Sequence, residues 1–351
     1  MARAAGKPFH FLVQLTRPHR LNRTRVALGW LLLCLAFASL GQIPPGYYAG
    51  TEGLSGQQLR VRLHLIVRGH KVIPYSSGSR FDVSDALAVL DEDSQDTNRV
   101  RLLYGNTNTL KSNFGETTGW NREHSWPNSY GIDSEGPAYS DLHHLFACDA
   151  NVNSSRGNKF YDRSWAGDGN LVNPAHVEAV GSSTDRDSWQ PPNDQRGNLA
   201  RALLYMDVRY SGDVAGENDL ELTDELTLVT STNRYMGRLT TLLCWHLLDP
   251  VDEREQRRNE GVFTLQSNRN PFVDHPEFVA LAFGDTARLN IQVVNGQSEL
   301  TWPSALEGQL LESEDLREWK PVGSGIQVGK WTNLLPVGLE RPLKLNRLVW
   351  P

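Results

Sequence analysis

Asn121-Arg122-Glu123-His124-Ser125-Trp126-Pro127, followed by Asp141-Leu142-His143-His144 and then by Asn153-Ser154-Ser155-Arg156-Gly157-Asn158, holds most of the chemistry-bearing residues of this chain. From Asn121 to Arg156 it gathers an imidazole, hard oxygen donors and a guanidinium within 36 positions. Metal-assisted phosphodiester hydrolysis needs that set: a base to take a proton from water, a cation to offset charge on phosphate and leaving oxygen, and a positive grip on the phosphate.

His124 is the candidate base, because an imidazole of ordinary pKa near 6.5 is neutral at mildly alkaline pH. An isolated histidine is more often structural; the neighbours of this one change that reading. Glu123 offers a carboxylate and Asn153 an amide carbonyl, donors that suit Mg²⁺ while it keeps most of its waters. Arg156 follows Asn153 by three positions, so on a helix the two share a face, with Arg156 placed to grip a phosphate bidentately. Asn153 can also be read as an N-cap, as can Ser154 or Ser155. One demand is structural: adjacent strand residues point to opposite faces, so Glu123 and His124 meet one site only at a strand end or an irregularity, which Pro127 would help to create.

His143 and His144 near Cys148 admit a zinc reading. The spacing matches no zinc signature, and His143 is read instead as a residue that orients the site through its ring nitrogens.

Working outward, the first 25 residues carry Arg3, Lys7, Arg17, Arg20, Arg23 and Arg25 with no acid, and an apolar run from Val26 to Leu40 follows. This is the pattern of a secretory signal over 1–41, removed near Gln42, and it predicts a secreted or periplasmic protein. An uncleaved N-terminal anchor is the competing reading and the only one that brings in a membrane. Removing six of 35 basic residues leaves 29 against 41 acids, a net of about −12. That balance disfavours a passive nucleic-acid-binding module, and disfavours less an enzyme with a local basic groove and a divalent cation. Cys148 and Cys244 would remain, as a disulfide or as two buried thiols.

The periodicity predicts helices over Gln57–Arg68, over Val83–Asp91 capped by Asp82 or Ser84, over Gly197–Tyr210 and over Thr232–Leu248, with a strand over Arg99–Tyr104. Ser211–Ser231 reads as an acidic surface loop. From about Asp285 short strand-like runs appear, Leu289–Val294 and Glu299–Trp302, separated by turn residues. The expected class is α+β: a mainly helical domain over 42–284 and a small all-β module over 285–351, which resembles C-terminal modules of secreted bacterial proteins.

Asn121 to Pro127, Asp141 to Leu145 and Val152 to Asn158 resemble the motifs of the bacterial extracellular or periplasmic endonuclease I family. Ile43-Pro44-Pro45-Gly46-Tyr47-Tyr48, Trp245-His246 through Asp252, and Gln266 to Glu277 extend the likeness over about 43–284. The resemblance implies a ββα-metal (His-Me) finger, with His124 as general base and Glu123 and Asn153 holding one Mg²⁺. It implies cleavage of DNA, and in some relatives RNA, with little sequence preference and 5′-phosphate ends, and no stable protein partner. The chain departs from the family in having no Arg or Lys from Pro127 to Ser140, where relatives carry a phosphate-holding arginine, and Phe146-Ala147 where Arg-Pro is frequent. Arg156, or Lys159, would then take the phosphate. The competing functions are a secreted binding protein with a degenerate site and a phosphoesterase for small esters.

Overall fold

The computed structural model describes residues 43–230, 233–284, 289–294, 297–306, 309–313, 318, 320–337 and 345–349. The secretory signal expected over 1–41 lies outside the described residues. The first helix, α1 (Gly56–Val67), buries Leu59, Leu63 and Val67, one apolar stripe at helical spacing. In α2 (Val83–Leu90) a capping box forms, Asp82 accepting from the amides of Ser84 and Asp85 while Asp85 accepts from that of Asp82.

Strands β1 (Glu92–Asp93), β2 (Asp96–Arg101) and β3 (Asn108–Leu110) make an antiparallel sheet. The strand expected over Arg99–Tyr104 therefore ends at Arg101. Beyond it, the Leu103 amide leaves the sheet and donates to the Ala147 carbonyl at 2.9 Å, which carries Tyr104 towards the centre of the molecule.

At that centre β4 (Trp120–His124) pairs antiparallel with β5 (Leu145–Asp149), His124 opposite Leu145 and Trp120 opposite Asp149. Helix α3 (Ala150–Arg156) follows at once, its first amides capped by the Asp149 carboxylate. Asp149, and not Asn153, is the cap; Asn153 sits in mid-helix. The two-residue period of β4 sends Arg122 and His124 to one face and Asn121 and Glu123 to the other.

After β6 (Phe160–Tyr161), β7 (Ser183–Thr184) and β8 (Ser188–Gln190), the longest helix, α4 (Asn193–Arg209), runs almost wholly buried. Strands β9 (Glu221–Leu222) and β10 (Tyr235–Met236) pair in parallel, and α5 (Leu239–Leu248), α6 (Glu253–Gln266), α7 (Pro271–Asp274) and α8 (Phe278–Phe283) complete this part. Two expectations change here. Of the helix expected over Thr232–Leu248, Thr232 lies outside the described residues, Tyr235 and Met236 pair with β9, and the helix runs from Leu239. The acidic stretch from Ser211 is only in part a loop, since Leu220 and Leu222 are buried. Helix α6 was not foreseen. Its buried face is Glu255, Asn259, Val262 and Gln266, a helical spacing written mostly in polar residues.

The tail continues as β11 (Asn290–Val294), β12 (Gln297–Pro303), β13 (Gln309–Ser313), β14 (Lys320–Pro321), β15 (Gln327–Val328), β16 (Thr332–Val337) and β17 (Leu345–Val349), in sheets ordered β11-β12-β16-β15 and β14-β13-β17. A 3₁₀ turn at Ser304–Leu306 packs Ala305 and Leu306 on Cys244 of α5. Trp331 donates to Asp162 at 2.7 Å, and Lys330 sits among Asp168, Asp185 and Asp187. The class is α+β, with short strands distributed among the helices of the first part, so that part is less helical than expected. No described helix is long and apolar enough to cross a membrane. Cys148 and Cys244 are both buried and form no disulfide with each other.

Candidate active site

The hairpin β4-β5 and helix α3 form one ββα unit, and the functional side chains stand on it. His124 is the last residue of β4, so the strand ends where its side chain is needed. Its ring packs against Tyr75 (5.5 Å between centroids, near-parallel), Tyr139 (5.0 Å) and His144 (5.4 Å). Its Nε2 lies 3.0 Å from the Tyr139 carbonyl. A carbonyl only accepts, so Nε2 carries the hydrogen and the lone pair of the neutral ring is on Nδ1. Burial, and then the neighbouring His144, lower the imidazole from 6.5 to about 3, which keeps the ring neutral at ordinary pH.

Glu123, on the other face of β4, is buried. Its Oε1 accepts from the Tyr104 hydroxyl at 2.7 Å and from Arg156 Nη1 at 3.0 Å. Burial pushes its carboxyl up, and Arg156 and Tyr104 pull it partly back. Asn153, half-buried on α3, donates through Nδ2 to Asn121 Oδ1 at 2.7 Å and to the Arg122 carbonyl at 3.1 Å. Because the backbone carbonyl can only accept, the amide orientation is determined and Oδ1 faces elsewhere, available to a ligand.

In donor type these residues suit a divalent cation of the hard type: one carboxylate whose hydrogen bonds fall on Oε1, and one amide whose nitrogen makes its hydrogen bonds. The zinc reading has no such fit. Among the described residues the only three His, Cys, Asp or Glu ligand atoms that gather closely are those of Asp168, Asp185 and Asp187, where the Lys330 ammonium already lies. His143 also differs from expectation: it is buried with Nε2 3.3 Å from the Asn268 carbonyl and its ring on Tyr205, and His144 is the histidine that meets His124.

Arg156 requires the main correction. Its guanidinium, expected at the phosphate, is 1% exposed, and its donors are committed to Glu123, to the carbonyls of His124, Ser125 and Lys159, and to the face of Tyr161 at 4.6 Å. It ties β4 to α3 from inside. Lys159, the other candidate, donates to Thr184 Oγ1 and the Asp185 carbonyl. Tyr104, Tyr161 and Tyr139 are separated in sequence from Glu123 and His124 and belong to no motif, so nothing in the order of residues points to them, and Asn121 has no role there that its residue type alone announces.

Behind the site, Asp141 is fully buried and accepts from Tyr205, Tyr210, Gln266 and the His143 amide. Asn268 donates to Tyr205 and the Val67 carbonyl, and Arg269 pairs with Asp274 and Glu260. The Asn268 to Asp274 stretch thus closes the fold instead of entering the site.

The profile of the family described as Endonuclease I matches residues 55–277. The chain is 43% identical over 236 residues to an extracellular ribonuclease of Bacillus subtilis (strain 168), covering 66% of this chain and 76% of the relative. An extracellular ribonuclease of Bacillus amyloliquefaciens is 42% identical over the same shares. An extracellular deoxyribonuclease of Aeromonas hydrophila is 28% identical over 134 residues, 38% of this chain and 48% of that protein. Family and relatives together define a secreted or periplasmic phosphodiester hydrolase. The chain belongs to the endonuclease I family.

Proposed function

We propose that the protein is a Mg²⁺-dependent endonuclease that hydrolyses phosphodiester bonds of DNA and RNA without sequence preference, with His124 as general base. The observation that carries this reading is the hydrogen bond from His124 Nε2 to the Tyr139 carbonyl, which directs the basic lone pair to Nδ1 at the end of β4. Nδ1 takes a proton from water as the water oxygen bonds to phosphorus. The P–O3′ bond breaks, the O3′ oxygen takes a proton from solvent, and a 5′-phosphate and a 3′-hydroxyl remain. A divalent cation bound by Glu123 and Asn153 would supply charge neutralisation at the phosphate and leaving oxygen. Glu123 is kept in place by Tyr104 and Arg156, and Asn153 by Asn121 and the Arg122 carbonyl. Because water and not a ribose hydroxyl attacks, the chemistry does not distinguish RNA from DNA, in keeping with relatives named for each.

The test is degradation of plasmid DNA and of single-stranded RNA by mature protein with Mg²⁺, with chelator, and by His124→Ala, followed by end labelling. Both substrates should yield 5′-phosphate ends, and chelator and variant should each remove at least about 100-fold of the rate. Metal-independent nicking, or equal rates for the variant, overturns the reading. A binding protein with a degenerate site would retain substrate without cleaving it.

A further inference from the structure

The hydrolysis proposed above needs a positive charge at the phosphate, and the nearby cations on the ββα unit and its supports are committed elsewhere. Arg156 is closed inside, Lys159 is bound to Thr184 and Asp185, and Arg258 donates to Asp91 and to the carbonyls of Leu142 and Leu145. Arg122 differs. It stands two residues before His124 on β4 and so shares its face, about 7 Å along the strand. The carbon of its guanidinium lies over the Tyr75 ring, 3.8 Å from the centroid, and His124 stacks against the same ring. Nη1 donates to the Tyr75 carbonyl and to Ser76 Oγ at 2.9 Å. Among the described residues no carboxylate forms an ion pair with Arg122, and the Tyr75 side chain is its further polar neighbour. A half-buried arginine without a counter-ion, beside the base of an acidic protein, is placed to receive an anion.

We propose that Arg122 binds a non-bridging phosphate oxygen of the substrate strand beside His124, with Tyr75 as the platform that holds its guanidinium. This rests on the hydrolase reading. Arg122 thereby supplies from β4 the charge that Pro127 to Ser140 lacks. The contact with the Tyr75 ring and the two hydrogen bonds of Nη1 restrain the side chain, so little freedom is lost when phosphate arrives. The position on β4 also explains why Asn153 and Arg122 are tied: the Asn153 amide holds the Arg122 carbonyl, so the proposed cation ligand and the phosphate ligand share one piece of backbone.

The test compares Arg122→Ala, Arg122→Lys and His124→Ala with wild type on a phosphodiester oligonucleotide at saturating Mg²⁺, with urea unfolding midpoints as the measure of folding. Arg122→Ala should lose about 100-fold in kcat/KM, as removal of one charge-stabilising donor does elsewhere, with its unfolding midpoint near wild type. Arg122→Lys should recover only part of the loss. Guanidinium chloride far below denaturing concentrations should restore Arg122→Ala several-fold relative to equal sodium chloride, and should restore His124→Ala not at all. An Arg122→Ala rate within about threefold of wild type overturns the proposal, as does a loss that follows the unfolding midpoint and is not restored by guanidinium. A fully active His124→Ala would instead overturn the hydrolase reading itself.

Discussion

Arg156 Nη1 stands 3.0 Å from Glu123 Oε1, with the two side chains 1% and 2% exposed. The pair joins α3 to β4 in the buried interior of the unit. Removing one side of a buried, hydrogen-bonded ion pair leaves the other charge stranded, at a cost of about 3–5 kcal/mol. Arg156→Met is therefore expected to lower unfolding free energy by that amount in urea melts and to lose activity through misplacement of Glu123. An Arg156→Met protein of wild-type stability that has lost only substrate affinity would return Arg156 to the phosphate.

Asn121 offers no ligand atom in this scheme; it accepts from Asn153 Nδ2 at 2.7 Å. Asn121→Ala leaves only the Arg122 carbonyl to hold the amide, and loss of such a supporting partner commonly weakens metal binding about 10–100-fold. Half-saturation of activity by Mg²⁺ should shift up by that factor, with kcat at saturating Mg²⁺ changed less. An unshifted Mg²⁺ titration removes Asn121 from the site.

Asp207 is buried on α4, and burial raises its carboxyl to about 6, opposed by the Leu222 amide and Arg60. A carboxyl whose folded pKa lies above its unfolded value, about 3.9, contributes stability that is complete below that value and lost as pH rises through 6. Two units correspond to roughly 3 kcal/mol at most. Asp207→Asn keeps an acceptor for Leu222 and has no charge to bury. Its unfolding free energy should exceed that of wild type by about 1–2 kcal/mol more at pH 8 than at pH 4. A difference independent of pH across this window contradicts the shift.

Lys330 places its ammonium among Asp168, Asp185 and Asp187, with Asp185 fully buried. Lys330→Met leaves Asp185 without this counter-charge and should cost about 2 kcal/mol, below the range for fully buried pairs because Asp168 and Asp187 keep contact with water. Limited proteolysis should then cut the tail after residue 289 sooner than in wild type. Equal cleavage rates exclude Lys330 as the tether.

Much of the fold was legible where local rules and tertiary packing agree. The helix over Gln57–Arg68 was legible from its periodicity, though of its apolar residues Leu59 and Leu63 are buried and Val61 is exposed, and of the two caps offered for α2 it is Asp82 that serves. Helix α6 was not legible, because its buried residues include Glu255, Asn259 and Gln266, which are interior only because Arg201, the Asn270 amide and Asp141 wait to satisfy them. A polar face reads as solvent until its partners are known. The short pairing of β9 with β10 was hidden for a related reason: two-residue strands carry no period of their own.

At the site the division is sharper. The order of residues gave the chemical inventory, an imidazole, a carboxylate, an amide and arginines within one short span, while the ββα arrangement came only through the likeness to the family. The same order determined the membership in the endonuclease I family. Which nitrogen of His124 holds the proton, which atom of Asn153 is bonded within the protein, and which arginine lies inside are set by the fold. Those are questions of direction and burial. The groups that answer them, the Tyr139 and Arg122 carbonyls and the Tyr104 and Tyr161 rings, act through space and leave no spacing in the chain. Arg156 shows the reason most plainly: the same side chain three positions from Asn153 serves a phosphate if water reaches it and a strut if it does not, and exposure is a property of the whole fold.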